Sequence, residues 1–430
     1  LTIVCLRVEF DTAVEWPYNE NDKKEYERFF QSFLKRSFLI HLFPMIIGLD
    51  NCFDAFFSET NKMGLIISRL QGVLSMGNID LHDMLAGYDF SNLTIATVCS
   101  HSSLQIFHGA RMEGFKTLGI AVGDKKKFYD AFPLGKPDEF LIVDDYKDIS
   151  KYTEELREKN VVVIPHGSFV EYLGADKFME LELPIYGNRD VLLWESDRNK
   201  ERVWLEGAGI TMPREITDPS EINGPVIVKY HGAKGGRGFF IAKNVEEFEQ
   251  HIDRSKKFSI QEFVMGTRYY ISYFYSPIRD DAYSLSRGSL QMLSMDRRDE
   301  TTIDEVQRIG SIRELEEAGI HPTFVVTGNF PIVMRESLLP KVFEMGAGVV
   351  EKSLELFGGL WGPFCLETVV TENLEFKVFE ISARIVAGTN PYVGGSPYSE
   401  LIEPNLSTGR RIAQELKYAV KNDKIEQILT

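Results

Sequence analysis

The stretch Gly362-Pro-Phe-Cys-Leu-Glu367-Thr-Val-Val-Thr-Glu-Asn-Leu-Glu-Phe-Lys-Val-Phe-Glu380-Ile-Ser-Ala-Arg384 decides how this chain is read. Two apolar runs rich in β-branched residues flank Asn373-Leu374, which predicts an antiparallel hairpin turning there. With that turn as centre, Glu367 falls directly opposite Glu380 on one face of the ladder. Carboxylates so placed have Cβ atoms about 4.5 to 5.5 Å apart, and they destabilise a sheet unless something positive lies between them. A hard divalent cation meets that need, since magnesium takes carboxylate and phosphate oxygens and keeps waters; two Glu plus nucleotide phosphates suffice as a site. Two solvated acids, or one raised pKa with a shared proton, are the alternatives. Arg384, four residues past Glu380, is placed either to hold a transferring phosphoryl group or to neutralise one of the acids. A glycine-rich loop, residues 385–396, follows it.

Upstream, Val226-Ile-Val-Lys229 leads into Tyr230-His-Gly-Ala-Lys-Gly-Gly-Arg-Gly238 and then Phe239-Phe-Ile-Ala242. Glycines between two antiparallel strands, with no helix following, exclude a Walker loop or a dinucleotide fingerprint. Gly232, Gly235, Gly236 and Gly238 let backbone N–H groups close over phosphate oxygens, and Lys229, Lys234 and Arg237 supply countercharge. The result is a lid over a polyphosphate, or simply a glycine hairpin with solvated cations. Further on, Ser259-Ile-Gln-Glu-Phe-Val264 before Met265-Gly266 reads as a strand ending in a hinge. Its backbone can pair with an adenine edge, and Gln261 or Glu262 can meet the adenine amino group, although strands often end this way without a ligand.

Toward the amino end, short apolar runs alternate with amphipathic patterns: Leu93 to Val98, Gln105 to Gly114, Leu118 to Val122, Phe140 to Val143, Ile149 to Lys159 and Val161 to Ile164. This is the grammar of a parallel sheet. The strand ending at Val98 runs into Cys99-Ser100-His101-Ser102-Ser103, and the one ending at Ile164 into Pro165-His-Gly-Ser-Phe169. Both polar ends fall at the carboxyl edge, ahead of helices, where hydroxyls and free N–H groups receive a phosphate monoester. Each is equally readable as a helix cap, and His101 alone as a satisfied imidazole. After Trp194 the pattern turns α+β, so a second domain begins near residue 195.

The 430 residues, 43% apolar and 26% charged, hold core enough for roughly 2 to 3 domains. A formal charge of −16 with no Lys/Arg-dense segment argues against nucleic acid as a partner. The most apolar run, Phe38 to Leu49, contains His41 and Pro44 and is too short to span a membrane. Cys5, Cys52, Cys99 and Cys365 show no metal-site spacing and read as buried thiols in the cytoplasm. Residues 1–75 are dense in Phe and carry no evident chemistry. Lys35 and Arg36 lie too far from the terminus for a signal peptide. A helical cap, or a stretch outside the functional protein with Met76 as natural start, both remain open; a chain begun at Met76 is expected to keep its activity.

The order of parts is a small α/β domain, a Lys strand with a glycine lid, a hinge strand and a carboxylate pair ending in Glu-x-Ser-x-Arg. It resembles the ATP-grasp architecture, and more closely the archaeal-type formate-dependent synthetases of 5-formaminoimidazole-4-carboxamide ribonucleotide (FAICAR). Matching stretches are Ile95-Ala-Thr with Ser100-His-Ser-Ser-Leu104, Pro165-His-Gly-Ser-Phe169, Tyr186-Gly-Asn-Arg189, Leu193-Trp-Glu-Ser-Asp-Arg198 and Val226 to Gly238. Later ones are Thr327-Gly-Asn-Phe-Pro331, Arg335-Glu-Ser-Leu-Leu339, Gly362-Pro-Phe-Cys-Leu366 and Phe379 to Arg384, so the match runs in order over 93–430.

The resemblance implies α/β and α+β classes, an ATP-grasp fold with an N-terminal Rossmann-like domain. Residues 76–194 would form that domain and 195–430 the ATP-grasp part, with a lid at about 213–275 and a catalytic portion at about 276–430. It implies ATP, magnesium or manganese as cofactors, formate and 5-aminoimidazole-4-carboxamide ribonucleotide (AICAR) as small-molecule substrates, and assembly into homotrimers or hexamers. His101, Ser102, Ser168 and Asn329 would contact AICAR. Lys229, Gly235, Gly236, Gly238, Gln261, Glu262, Val264 and Glu300 would contact ATP; Glu367 and Glu380 would hold the metal; Arg384 and Lys229 would stabilise the transferring phosphoryl group. Another carboxylate-amine ligase, or a catalytically silent nucleotide-binding paralogue, is the alternative. The chain departs from the family at Arg298-Asp-Glu-Thr-Thr302, where Arg-Tyr-Glu-Ser-Asn is usual, at Ile309-Gly-Ser-Ile-Arg313 in place of Ile-Pro-Ala-Lys-Asp, and at Cys99. Replacing Glu367 or Glu380 by Ala is expected to abolish turnover with the fold intact.

Overall fold

The computed structural model describes residues 81–230, 238–301, 303, 304, 310, 317, 323, 325–386, 389 and 392–430. Expectations for residues 1–75, Cys5, Cys52, the lid residues Gly232, Lys234, Gly235, Gly236 and Arg237, and most of 309–313 lie outside these. The chain divides into two units, Leu1–Met76 and Gly77–Thr430, and the described residues belong to the second.

The first apolar runs form β1 (Thr94–Val98), β2 (Lys116–Val122), β3 (Glu139–Val143) and β4 (Val161–Val163), a parallel sheet in the order β3-β2-β1-β4. β1 is buried along its whole length, as a strand covered on both faces must be. Helix α1 (Ser103–Met112) follows β1 and α2 (Gly167–Leu173) follows β4. Because β1 and β4 are neighbours, their polar ends lie side by side. Ser102 does not cap α1 through its side chain; it sits at φ +70°, in the left-handed region.

Two helices, α3 (Val191–Glu195) and α4 (Arg198–Gly207), lead out of this domain. Asp197 starts α4 by accepting hydrogen bonds from the Asn199 and Lys200 amides. Next come β5 (Glu215–Ile216), β6 (Val226–Tyr230), β7 (Phe239–Ala242) and β8 (Phe258–Glu262), an antiparallel lid sheet ordered β5-β8-β6-β7 over a small core containing Val228, Phe248 and Ile260.

The third sheet contains β9 (Thr267–Ser276), β10 (Tyr283–Ser284), β11 (Ser289–Glu300), β12 (Val326–Pro331), β13 (Gly362–Val370) and β14 (Phe376–Ser382). Its order is β10-β11-β9-β13-β14, with β12 paired to β11. β9 therefore lies inside this sheet and not in the lid, where the sequence division at 275 would put it. Its run from Tyr270 to Ser276 is buried throughout, which only an interior strand achieves. Helix α5 (Leu339–Phe357) packs Val342, Met345 and Val349 into one core with Ile271, Met295 and Leu366. By strand alternation the opposite face carries Glu367.

Helix α6 (Thr408–Lys421) returns to the first domain and crosses α1. A Cβ on Gly109 would stand 2.1 Å from the Arg410 nitrogen, and one on Gly409 2.3 Å from the Gln105 carbonyl, so two glycines set the approach. Ile185 and Thr430 exchange backbone hydrogen bonds at 2.9 Å. The segment from α6 to Thr430 thus completes the first domain, a closure invisible to a linear division at 195. Cys99 and Cys365 are buried free thiols. Among the described residues no helix is long and apolar enough to cross a membrane.

Candidate functional site

β13 and β14 pair with Cys365 opposite Ser382, Leu366 opposite Ile381 and Glu367 opposite Glu380. The register slips by one just beyond the two acids, where Thr368 faces Val378 and Phe379 bulges out. The loop is consequently one residue longer than the sequence reading has it. Leu374 donates to the Thr371 carbonyl at 3.0 Å and takes φ +62°, closing a three-residue turn over 372–374. Glu367 is buried and Glu380 exposed. Burial, with the Glu380 charge alongside, pushes the Glu367 carboxyl up to about 7, against the pull of Arg298.

Arg298 donates from Nη2 to Glu367 Oε1 at 3.3 Å, and its guanidinium lies 3.5 Å from the centre of the Tyr270 ring. Apart from Glu300, offered as an ATP contact, the sequence reading treats 298–302 as a departure from the family. Within it Asp299 is exposed and, one residue on, turns away from the face that carries Arg298.

Of the two sequence alternatives for Arg384, the pairing with one of the opposed acids is not the one formed: among the described residues it makes no ion pair with Glu367 or Glu380. Its Nη2 meets Glu195 Oε1 at 2.7 Å, while Glu195 Oε2 accepts the Ala383 amide hydrogen at 3.1 Å. Burial raises the Glu195 pKa, with Arg384 opposing. Glu201, on α4, accepts from the Ile381 amide at 2.9 Å, and burial pushes its pKa up to about 8. Neither acid has a role in the sequence reading, although Glu195 stands in the quoted stretch Leu193 to Arg198.

At the edge of the first sheet, the Ser168 amide donates to His101 Nε2 at 3.1 Å, which leaves His101 Nδ1 to face Ser102 Oγ at 3.0 Å. An imidazole that accepts at one nitrogen is neutral, and burial with Arg384 nearby lowers its pKa to about 4. His166, fully buried with its ring 4.9 Å from that of His101, is driven to about 3, first by burial. A Cβ on Gly167 would lie 3.3 Å from His101 Nε2 and 3.5 Å from Arg384 Nη1, so this glycine makes room where the two approach.

On the lid side, Lys229 Nζ donates to Gln261 Oε1 at 3.1 Å, and burial, then Arg198, lowers its pKa. The Glu262 carboxylate is held by Lys377, so both hinge side chains offered to an adenine amino group already have partners. Val264 is half-buried beyond them, and Gly238 takes φ +73° at the foot of the lid. Glu300 pairs with Arg268 at 3.1 Å, and Asn329 faces Arg298 across β11 and β12.

A cavity of about 830 Å³ brings together His101, Glu195, Arg198, Lys229, Glu380 and Arg384, with Gly238 on its rim. A second, of about 480 Å³, shares Ser196, Arg198 and Phe379 with it and reaches Gln261. Glu367, Asn329 and Glu300 do not line the larger cavity; Glu367 joins it through Glu380. Arg198 lines both and has no role in the sequence reading.

Comparison with known proteins gives three findings. Residues 95–216 match a family described as a protein of unknown function (DUF1246), and residues 243–430 one described as a domain of unknown function (DUF1297). The 5-formaminoimidazole-4-carboxamide-1-(beta)-D-ribofuranosyl 5'-monophosphate synthetase of Methanosarcina acetivorans is 66% identical over 348 residues, 81% of this chain and 98% of that protein. Among solved structures, an IMP biosynthesis protein PurP from Thermococcus kodakaraensis superposes with a TM-score of 0.60 at 30% identity, over 78% of this chain and all of the other. N5-carboxyaminoimidazole synthetase from Staphylococcus aureus, complexed with ADP, gives 0.50 at 13% identity over 74% and 77% of the two chains, a likeness of fold alone.

Proposed function

This chain belongs to the family of 5-formaminoimidazole-4-carboxamide ribonucleotide synthetases, and from that premise we propose that it is an ATP- and formate-dependent ligase with an ATP-grasp fold, converting AICAR to FAICAR in purine biosynthesis. The observation that carries the reading is the convergence of Lys229, Arg384, Glu380 and His101 on one cavity, from the lid, the third sheet and the first sheet.

In the first step a formate oxygen attacks the γ-phosphorus of ATP, the bond to the β,γ-bridging oxygen breaks, and ADP leaves with formyl phosphate formed. Lys229 and Arg384 hold the charge that spreads over the phosphoryl oxygens. Glu195 locks the Arg384 fork in place, so little reorganisation is needed at the moment of transfer. In the second step the 5-amine of AICAR attacks the formyl carbon, the bond from that carbon to the phosphate oxygen breaks, and the departing phosphate takes up the proton that the nitrogen gives up. The neutral His101, with Ser102 and Ser168 beside it, takes the ribonucleotide by hydrogen bonds rather than by charge. Keeping water from the acyl phosphate falls to the sheet that carries Lys229 and Gly238 to the cavity.

The residues also fit a divalent cation. Glu367 and Glu380 are opposed carboxylates, and the Arg298 contact to Glu367 Oε1 is long, at 3.3 Å, so both acids keep oxygens for a cation whose shell phosphate and water would complete. Magnesium or manganese held by these two residues would neutralise charge on the triphosphate. On the same reading the chain is a cytoplasmic homo-oligomer, a trimer or hexamer, which sedimentation checks.

The deciding experiment is ADP release by the purified chain. Release that requires formate and AICAR together supports the proposal; release with formate and a different amine, or ATP binding with no release, refutes it.

A further inference from the structure

The face of the third sheet that carries Glu367 also carries an anomaly. Asp296, two residues before Arg298 on β11, is fully buried, and among the described residues neither of its carboxylate oxygens has a hydrogen-bond partner. The Ser294 hydroxyl, two residues earlier on the same face, is buried and unpartnered as well. Directly across β9 stand Tyr270, opposite Asp296, and Ser272, opposite Ser294. The Arg298 guanidinium is hydrogen-bonded to Glu367 and stacked on the Tyr270 ring, and its charge acts on Asp296 without a hydrogen bond. A carboxyl group buried without donors weakens a fold, and it is retained where something brings hydrogens to it.

The chemistry of that something is restricted. Two carboxylate acceptor oxygens require a group that donates hydrogens and repel formate and phosphate, which offer only acceptors and negative charge; on the ribonucleotide the donors are the ribose hydroxyls and, on the base, the N–H groups of the 5-amine and carboxamide. The patch also has a direction. Ser272 continues through Cys365 to Ser382, and Ser382 lines the larger cavity with His101. Val386, which also lines that cavity, packs on Tyr270 and Cys365. The row therefore leads from the end where His101 and Ser168 lie, and away from the Gln261 hinge.

Resting on the reaction proposed above, we infer that Asp296 is the residue that recognises the base of the ribonucleotide, its carboxylate accepting N–H groups of the 5-amine and the adjoining carboxamide. This orients the amine toward the reacting formyl carbon and discriminates against ribonucleotides that lack exocyclic amino groups.

The test uses the full chain and Asp296→Asn, which keeps size but removes the paired acceptors. Calorimetric titration with AICAR is expected to give a dissociation constant raised about tenfold or more, the effect of losing one good hydrogen bond to a charged group. Binding of MgADP stays within about twofold, and the melting temperature is equal or higher because an unpartnered buried charge is gone. Unchanged AICAR binding, or a lowered melting temperature with all ligands weakened alike, overturns the inference. Independently of any variant, a ribonucleotide analogue without the 5-amino group must bind the natural chain more weakly; equal binding also overturns it. These titrations need no turnover, so a wild-type chain that fails to release ADP with formate and AICAR refutes the proposed reaction separately.

Discussion

Glu201 reaches from α4 to accept the Ile381 amide hydrogen at 2.9 Å, one residue beyond Glu380. β14 is the edge of its sheet, so its outward N–H groups have no neighbouring strand. Glu201, Glu195 at the Ala383 amide, and the Thr211 carbonyl at the Val378 amide cover that edge. Two carboxylates, Glu195 from the wall of the larger cavity and Glu201 from that of the smaller, thereby fix the backbone that aims Glu380 and Arg384.

Replacing Glu201 by Ala should therefore weaken divalent-metal binding by about 10- to 100-fold, as loss of an outer partner of a ligand does. Glu201→Gln keeps an acceptor for Ile381 and should retain most of the affinity. Titration with Mn²⁺ followed by electron paramagnetic resonance distinguishes the two; equal loss in both variants would mean that the charge, not the hydrogen bond, matters.

Glu367 has a carboxyl pKa raised to about 7, so a proton competes with a metal for it below that pH. Apparent Mg²⁺ affinity should fall as pH drops from 8 to 6, measured by the magnesium dependence of ADP binding. The same raised pKa gives the metal-free chain a stability that is present at low pH and lost as pH rises through about 7. Glu380→Ala should abolish turnover and keep the fold. Glu367→Ala should cost more stability than the sequence alone suggests, because it strands the Arg298 charge.

His101 and His166 have pKa values lowered to about 4 and about 3, chiefly by burial. Below the ordinary histidine value of about 6.5 the unfolded chain gains protons that the folded one refuses, so stability is lost as pH falls toward 4. His166→Asn, which keeps a donor for the Val98 carbonyl, should show a smaller drop in melting temperature between pH 6.5 and 4.5 than the natural chain.

Gly109→Ala places a methyl group where the Arg410 nitrogen is 2.1 Å away. A backbone clash of that size cannot be relieved by a rotamer change, and about 3 kcal/mol of destabilisation is expected. Thermal unfolding should show a fall of several degrees, whereas Ala at the open position Gly224 should change little.

How far the sequence spoke depended on distance along the chain. The opposition of Glu367 and Glu380 was legible because a hairpin's register follows from its turn, and the added loop residue is cancelled by the bulge at Phe379 before the register reaches the acids. The meeting of His101 and Ser168 was legible because neighbouring parallel strands end together. The Arg384–Glu195 and Glu201–Ile381 contacts were not, since residues about 180 positions apart leave no periodic signal. Nor was the place of β9, whose apolar run fits a lid strand or an interior strand equally until its neighbours are known.

The crossing of α1 and α6 also imposes a timetable on synthesis. Gln105 meets Gly409 across 304 positions, and Ile106 and Ala110 share their core with Ile412, Ala413 and Leu416. As translation proceeds, β1 to β4 leave the ribosome long before that covering arrives, and one apolar flank of α1 stays wet meanwhile. The first sheet lacks that covering until residues 408–421 have been made, and the crevice proposed for the ribonucleotide is backed by its full core only then.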